Sequence, residues 1–280
     1  MIAGRRALLT GGSGGIGTAI AAELLTAGAS VLLVGRDAAA LQAAAARLGA
    51  PAGRVATFAA DVADEAARAR LVTFAAGWQG GVDVLVNNAG LADFAWLEEQ
   101  TAARIDRLLE VNVHGPIQLC RALLPVLSHH VAADIVNVGS VFGSIGYPGQ
   151  AVYSASKFAL RGFSEALRRE LAGSSVRVHY LAPRATRTAM NAGAMDRLNA
   201  ELGVAMDEPA VVAAALRRML ERNTPFAVLG WPEKLFARLN AVLPRLVDGA
   251  LRRQLPVIRR HATGTPPRDL PRRPVEESSP

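Results

Sequence analysis

Tyr153 and Lys157 stand four residues apart in the run YSASK, within a stretch whose pattern stays helical as far as Leu171. An i, i+4 separation puts a phenol and an ammonium on one helix face. A free phenol ionises near pH ~10 and releases its proton poorly at neutrality, whereas an adjacent cation favours phenolate. Lys157 is therefore expected to lower the Tyr153 pKa toward the working pH. Such a pair suits a reaction in which negative charge grows on a substrate oxygen, as when hydride reaches a carbonyl, because that oxygen then needs a proton. Ser140, thirteen positions before Tyr153 and at the end of a predicted strand, could hydrogen-bond the same oxygen. Taken singly, Tyr153 reads as a half-buried packing residue and Lys157 as a surface charge. Their conjunction with Ser140 and a glycine-rich loop points to chemistry.

That loop is TGGSGGIG, Thr10 to Gly17, which follows the first apolar run and opens into the helical pattern Thr18 to Thr26. Small residues let backbone N–H groups approach a pyrophosphate, and a helix N-terminus adds partial positive charge. A glycine-rich turn alone is a weak signal. Its place between a first strand and a first helix makes a dinucleotide the expected ligand, and Lys157 could then also hold the nicotinamide ribose. The second strand ends in Val34, Gly35 and Arg36, at the point where a carboxylate would bind a ribose 2′-OH in an NAD enzyme. A guanidinium suits a 2′-phosphate instead, so NADP(H) is expected over NAD(H). Against this, Arg36 reads equally as a solvated loop residue, and Asp37 either faces the ribose or, the preferred reading, caps the alanine-rich helix that follows. Asp61, after the third strand, is a candidate for the adenine amino group or a plain helix cap. Asn87, Asn88, Ala89 and Gly90 end the fourth strand, where they fit a bend lining the cofactor, with the amides tying neighbouring strands together.

These residues need strands to carry them to one edge. Seven short runs alternate with longer helical patterns: Ala7 to Thr10, Ser30 to Val34, Arg54 to Phe58, Val82 to Asn87, Asp134 to Gly139, Val176 to Leu181 and Phe226 to Gly230. Alternation of this kind predicts an α/β fold, a doubly wound parallel sheet with helices on both faces and ligands at the carboxyl ends of its strands.

TGGSGGIG, NNAG, Asn112 in VNVHG, Ser140 and YSASK, in this order and spacing, resemble the short-chain dehydrogenase/reductase family over approximately residues 4 to 230. The resemblance implies a Rossmann fold. It implies Tyr153 as general acid/base, Ser140 polarising the carbonyl, Lys157 binding ribose and lowering the Tyr153 pKa, and Asn112 supporting a water-linked proton relay. Gly11, Ser13, Gly15, Ile16, Gly17, Arg36, Asp61, Val62, Asn88, Ala89, Gly90, Thr186 and Thr188 are the expected cofactor contacts, beside Tyr153 and Lys157. Homodimers or homotetramers built on the helices carrying Asn112 and Tyr153 are implied as well. One motif departs: where the family usually has Pro-Gly and then a Thr, this chain reads PRATRT, Pro183 to Thr188. Arg184 gives up glycine's backbone freedom and brings a charge that could meet an acidic substrate group, form a salt bridge or stay exposed. Thr188 matches the usual Thr.

Met190, Met195, Leu198, Leu202, Val204 and Met206 lie in the region that covers substrate in such proteins, and flexible thioethers suit an adaptable apolar pocket or ordinary helix packing. A lipophilic ketone, aldehyde or acyl compound is the expected substrate. The lone Cys120 reads as core packing, His129 and His130 as helix-end residues, and no metal site is expected. No apolar run reaches the roughly 18 residues that span a bilayer, and no h-region follows Arg5 and Arg6, so a cytoplasmic setting is expected.

The net charge of +7 is concentrated late: from Trp231 onward ten basic residues face five acidic ones. This argues against a nucleic-acid-binding body. The expected division is a catalytic domain over 1–230, a basic amphipathic helical extension over 231–260 that Pro244 kinks or divides, and a disordered tail over 261–280. Residues 232–260 could lie on an anionic membrane surface, cap the substrate cleft or pack on a second subunit. Two alternatives to a reductase stay open: an epimerase or dehydratase using the same Tyr/Lys pair, and a nucleotide-sensing or scaffold protein without turnover.

Overall fold

A computed structural model describes residues 2–262. Seven parallel strands, β1 (Arg6–Thr10), β2 (Ser30–Gly35), β3 (Val55–Ala59), β4 (Val84–Asn87), β5 (Ala133–Val138), β6 (Val176–Ala182) and β7 (Phe226–Val228), form one sheet in the order β3-β2-β1-β4-β5-β6-β7. All seven predicted runs are strands, with ends moved by a residue or two. Because β1 pairs with β2 on one side and β4 on the other, the order reverses there and leaves a crevice at the strands' carboxyl ends.

Residues alternate between the two faces of each strand, and the chain supplies apolar residues for both. Leu9, Leu33, Val86 and Val136 point to one face, where α1 (Gly15–Thr26), α2 (Ala38–Leu48) and α8 (Pro209–Arg222) cover them with Ile20, Leu24, Leu41 and Leu216. Leu8, Leu32, Leu85 and Ile135 point to the other, under α3 (Glu65–Gly77) and α5 (Gly115–Ser128), which contribute Leu71, Leu119, Leu123 and Leu127. Cys120 is part of this second core, and burial pushes its thiol up to about 12. Asp37 caps α2 by accepting from Ala40 N at 3.0 Å, the preferred of its two readings.

The amino ends of the strands are held by buried charge. Asp134 accepts from Arg5, from Arg177 and from His179, each at 2.8 Å, while Asp83 accepts from Arg5 Nε at 2.8 Å and from the Arg6 guanidinium. Arg5 and Arg6 are thus clamps across β1, β4 and β5, which their place near the chain start gave no reason to expect.

Between α4 (Ala102–Leu109) and α5 the helix widens into a π-turn over Glu110–His114, and Asn112 sits inside it. Such turns recur at functional sites because the extra residue displaces one side chain from the regular spiral. The remaining helices are α6 (Ala151–Glu170), α7 (Ala194–Glu201), α9 (Trp231–Val242) and α10 (Pro244–Ala262). Pro244 divides the extension in two. Its second helix continues to Ala262, so His261 and Ala262, expected in the tail, belong to it. The remainder of the predicted tail, 263–280, lies outside the described residues. No described helix is long and apolar enough to cross a membrane.

Candidate active site

A cleft of about 460 Å3 opens at the carboxyl ends of the strands, across the β1/β4 crevice. Its floor begins with the glycine loop. α1 has Gly14 as its N-cap, no side-chain cap and no acidic residue in its first turn, so its first N–H groups are left for a ligand. Side chains would fill this cradle: a Cβ on Gly15 would lie 3.1 Å from Thr188 Cγ2, and one on Gly17 would lie 2.1 Å from Gly11 O. The donor set and the shape therefore fit a dinucleotide pyrophosphate.

Every residue expected to contact the cofactor lines this cleft: Gly11, Ser13, Gly15, Ile16, Gly17, Arg36, Asp61, Val62, Asn88, Ala89, Gly90, Tyr153, Lys157, Thr186 and Thr188. Asn88 also joins β4 to β1, its Nδ2 donating to Thr10 O at 3.0 Å and Gly11 O at 3.3 Å, while Asn87 joins β4 to β5 through Asn137 Oδ1 at 2.8 Å. Arg36 is exposed at the rim. Asp61 is already engaged, accepting from Ala63 N at 2.9 Å and Arg107 at 2.5 Å. Burial acts to raise its pKa, but these two donors prevail and hold it below the usual carboxylate value.

Ser140 and Lys157 line the cleft beside Tyr153. Ser140 Oγ accepts from Phe142 N at 3.1 Å, which leaves its own proton to be donated, and it is hydrogen-bonded to the Tyr153 side chain. Lys157 Nζ donates to Val138 O at 3.2 Å, and burial lowers its pKa to about 8. For Tyr153 the expectation of a lowered pKa is not met in the protein alone: burial raises it, and the Ser140 hydrogen bond offsets only part of that. Desolvation disfavours the phenolate here more than any neighbour favours it.

Asn112 lies just behind the cleft wall. Its Oδ1 accepts from Leu91 N at 2.7 Å, and its Nδ2 donates to Leu91 O at 2.8 Å and Ser156 Oγ at 3.1 Å. A Cβ on Gly90 would be 3.3 Å from Asn112 Oδ1 and 3.5 Å from Lys157 Nζ, so the amide and the ammonium flank that glycine. Tyr180 had no role in the sequence reading. Its buried hydroxyl donates to Lys157 O at 3.2 Å, and a Cβ on Gly139 would meet its ring at 2.1 Å. The glycines around Ser140 thus make room for a phenol that braces the backbone under the site, a relation that only the tertiary fold discloses.

Three of the six residues expected near substrate, Met190, Met195 and Val204, line the cleft, whereas Leu198 is fully buried core. Arg184 lines it too, but its charge is already committed: it forms ion pairs with Asp207 at 2.6 Å and with Glu233 of α9 at 3.7 Å. Of its three readings, the salt bridge holds. Phe142, Tyr147 and Gln150, between Ser140 and Tyr153, also reach the cleft, and their position in that segment was the signal that could have found them. Glu233 and Gln254 come from α9 and α10, so the extension caps the cleft rather than standing apart.

The profile of the short chain dehydrogenases matches residues 5–199. The chain belongs to the short-chain dehydrogenase/reductase family. It is thus an NAD(P)-dependent oxidoreductase acting on CH–OH groups, interconverting carbonyl and alcohol. Among relatives within the family, the rhamnolipids biosynthesis 3-oxoacyl-[acyl-carrier-protein] reductase of Pseudomonas aeruginosa is 38% identical over 65% of this chain and 73% of its own. Nodulation protein G of a Rhizobium species is 37% identical over 78% of this chain and 84% of its own. Among solved structures, a 3-ketoacyl-(acyl-carrier-protein) reductase from Brucella melitensis complexed with NADH superposes with a TM-score of 0.75 at 29% identity, covering 81% of this chain and 97% of that one.

Proposed function

We propose that this short-chain dehydrogenase/reductase reduces a lipophilic ketone, aldehyde or acyl compound with NADP(H), Tyr153 supplying the proton. The observation that carries the reading is the convergence of Ser140, Tyr153 and Lys157 on the cleft whose other half is the glycine cradle. The bound nicotinamide supplies hydride. Ser140, its Oγ already accepting from Phe142 N, donates to the substrate oxygen and polarises the carbonyl. As charge grows on that oxygen, the Tyr153 hydroxyl gives up its proton to it. Lys157 would hold the nicotinamide ribose, and Asn112, beside it across Gly90, supports the water-linked relay that returns a proton to Tyr153.

NADP(H) is favoured because Arg36 lines the cleft without an ion pair to any described residue, while Asp37 is turned away to cap α2. A lipophilic substrate is favoured by Met190, Met195, Val204 and Phe142 in the lining and by relatives named for 3-oxoacyl reduction. Exposed Leu109 and Phe158, on α4 and α6, suit a homo-oligomeric contact. The outer side of α9 and the start of α10 expose Trp231 (73%) and Val242 (75%) with Leu235, Phe236, Leu243 and Leu246, among Lys234, Arg238 and Arg245. Apolar residues interleaved with cations fit an anionic membrane surface. The deciding test of the whole reading is NADPH oxidation over a panel of long-chain and cyclic carbonyls, beside Tyr153→Phe. Absence of turnover with the nucleotide bound would overturn it.

A further inference from the structure

Beside the Arg184–Glu233 ion pair and the apolar Met190, Met195 and Val204, the cleft is lined by two buried neutral amides. Gln150 is the N-cap residue of α6, three positions before Tyr153, yet its side chain caps nothing. It turns toward α7 instead, with Nε2 3.9 Å from Met195 Sδ, and Asn199 lies one helical turn beyond Met195. Both amides are almost wholly buried, Gln150 at 3% and Asn199 at 4% exposure, and both line the cleft. Each keeps a buried atom without a partner, an acceptor on Gln150 (Oε1) and a donor on Asn199 (Nδ2). Buried polar groups are satisfied in the great majority of proteins, so an unpaired acceptor and donor on one ligand cleft mark a place where the ligand completes the pairing.

We infer that Gln150 and Asn199 form a specificity subsite for an uncharged group on the substrate that both donates and accepts a hydrogen bond, a hydroxyl or an amide, borne on an otherwise apolar skeleton. A hydroxyl carries the complement of each, a proton for Gln150 Oε1 and a lone pair for the Asn199 amide N–H. Rotating both amides by half a turn exchanges the two roles and still leaves one donor, one acceptor and no charge. A carboxylate would satisfy Asn199 alone and set its negative oxygens against Gln150 Oε1. The nearby cation does not rescue it, because Arg184 is already paired with Asp207 and Glu233. The inference rests on the carbonyl-reductase reading above and narrows its substrate to a hydroxylated or amide-bearing lipophilic carbonyl compound.

The test uses the full chain with NADPH and ketones of matched length that end in methyl, hydroxyl or carboxylate, over a series of lengths. At the best length kcat/KM for the hydroxy ketone is expected to exceed that for the methyl ketone by about ten-fold, chiefly through KM, with the carboxylate poorest. That ratio should fall toward one in Gln150→Met and in Asn199→Leu, with NADPH fluorescence titration showing that each variant still binds the nucleotide. A second readout is thermal-shift binding of the same probes to NADPH-loaded Tyr153→Phe, which needs no turnover. Binding preference for the hydroxy ketone without reduction by the wild type would sink the reductase reading and keep the subsite. Reduction or binding with no hydroxyl preference at any length, or a preference unchanged in both variants, means that only water completes the amides, and the inference is overturned.

Discussion

The Lys157 ammonium stands 5.6 Å from the centre of the Tyr153 ring and gives its hydrogen bond to the Val138 carbonyl, not to the phenol. The pair therefore shares a helix face without forming a direct acid–base couple. Tyr153 is kept protonated by burial, the state a proton donor needs, and Lys157 is a buried cation with one carbonyl to support it.

A buried cation so supported is costly to the fold. Its pKa, lowered to about 8 from an unfolded value near ~10.4, means that below pH ~8 folding carries a penalty that disappears above ~10. Lys157→Met should raise the melting temperature of the nucleotide-free protein at pH 7, by a stability gain on the order of 1–3 kcal/mol, and the gain should shrink as the pH is raised through 8 to 10. Calorimetry across that range checks it, and an unchanged or lower melting temperature at pH 7 would contradict it.

Tyr153→Phe removes the proton donor and nothing from the glycine cradle. Turnover should drop by about 10²–10⁴-fold, while NADPH fluorescence titration still saturates. Turnover close to wild type would move the acid elsewhere.

How much of this was legible beforehand depended on whether a residue acts through its neighbours in sequence. The central strands β1, β2 and β4 were readable because each carries a short apolar run buried on both faces, and the cradle because glycines, strand and helix are contiguous. Leu8 and Leu9 pack into opposite cores, yet both simply read as apolar. Tyr180, Glu233 and Gln254 were invisible for the opposite reason. Each reaches the site only because β6 lies beside β5, or because the last two helices return across the cleft. The Tyr153 pKa went astray because one-dimensional spacing reports nearby charge but not desolvation.

Asp134 was likewise passed over as the first residue of a strand. Burial would raise its pKa, but hydrogen bonds from His179 and Arg177 and the charge of Arg5 bring it down to about 2. A carboxyl depressed below its unfolded value of ~3.9 stabilises fully above that value and loses the contribution as pH falls toward 2. Asp134→Asn should cost about 3–5 kcal/mol at pH 7, since three donors lose their counter-charge, and should flatten the acid limb between pH 4 and 2. Urea melts at several pH values measure both.

Arg36→Leu should weaken NADPH binding by about 10–100-fold and leave NADH nearly unaffected, because one charge-assisted contact to the 2′-phosphate is lost. Parallel titrations of wild type and variant decide. Tighter binding of NADH than NADPH by the wild type would refute the NADP(H) assignment.

Leu243→Asp with Leu246→Asp should abolish flotation of the protein with anionic vesicles, while the wild type floats with these and not with zwitterionic ones. Point substitutions are preferable to truncation after Gly230, because Asn240 holds Ser144 O at 2.9 Å, and Arg260 and His261 both pair with Glu201. Loss of dimer on gel filtration in the double variant, with no vesicle binding by the wild type, would instead make this surface a contact between copies.

The proline between the last two helices has a geometric meaning. An unbroken helix over 231–262 would extend about 48 Å at 1.5 Å per residue, a rod that would leave the body of the protein behind. With the hinge at Pro244 the chain doubles back, and Ile258 and Ala262 are buried against the protein. One imino acid thereby turns a protruding spar into a roof.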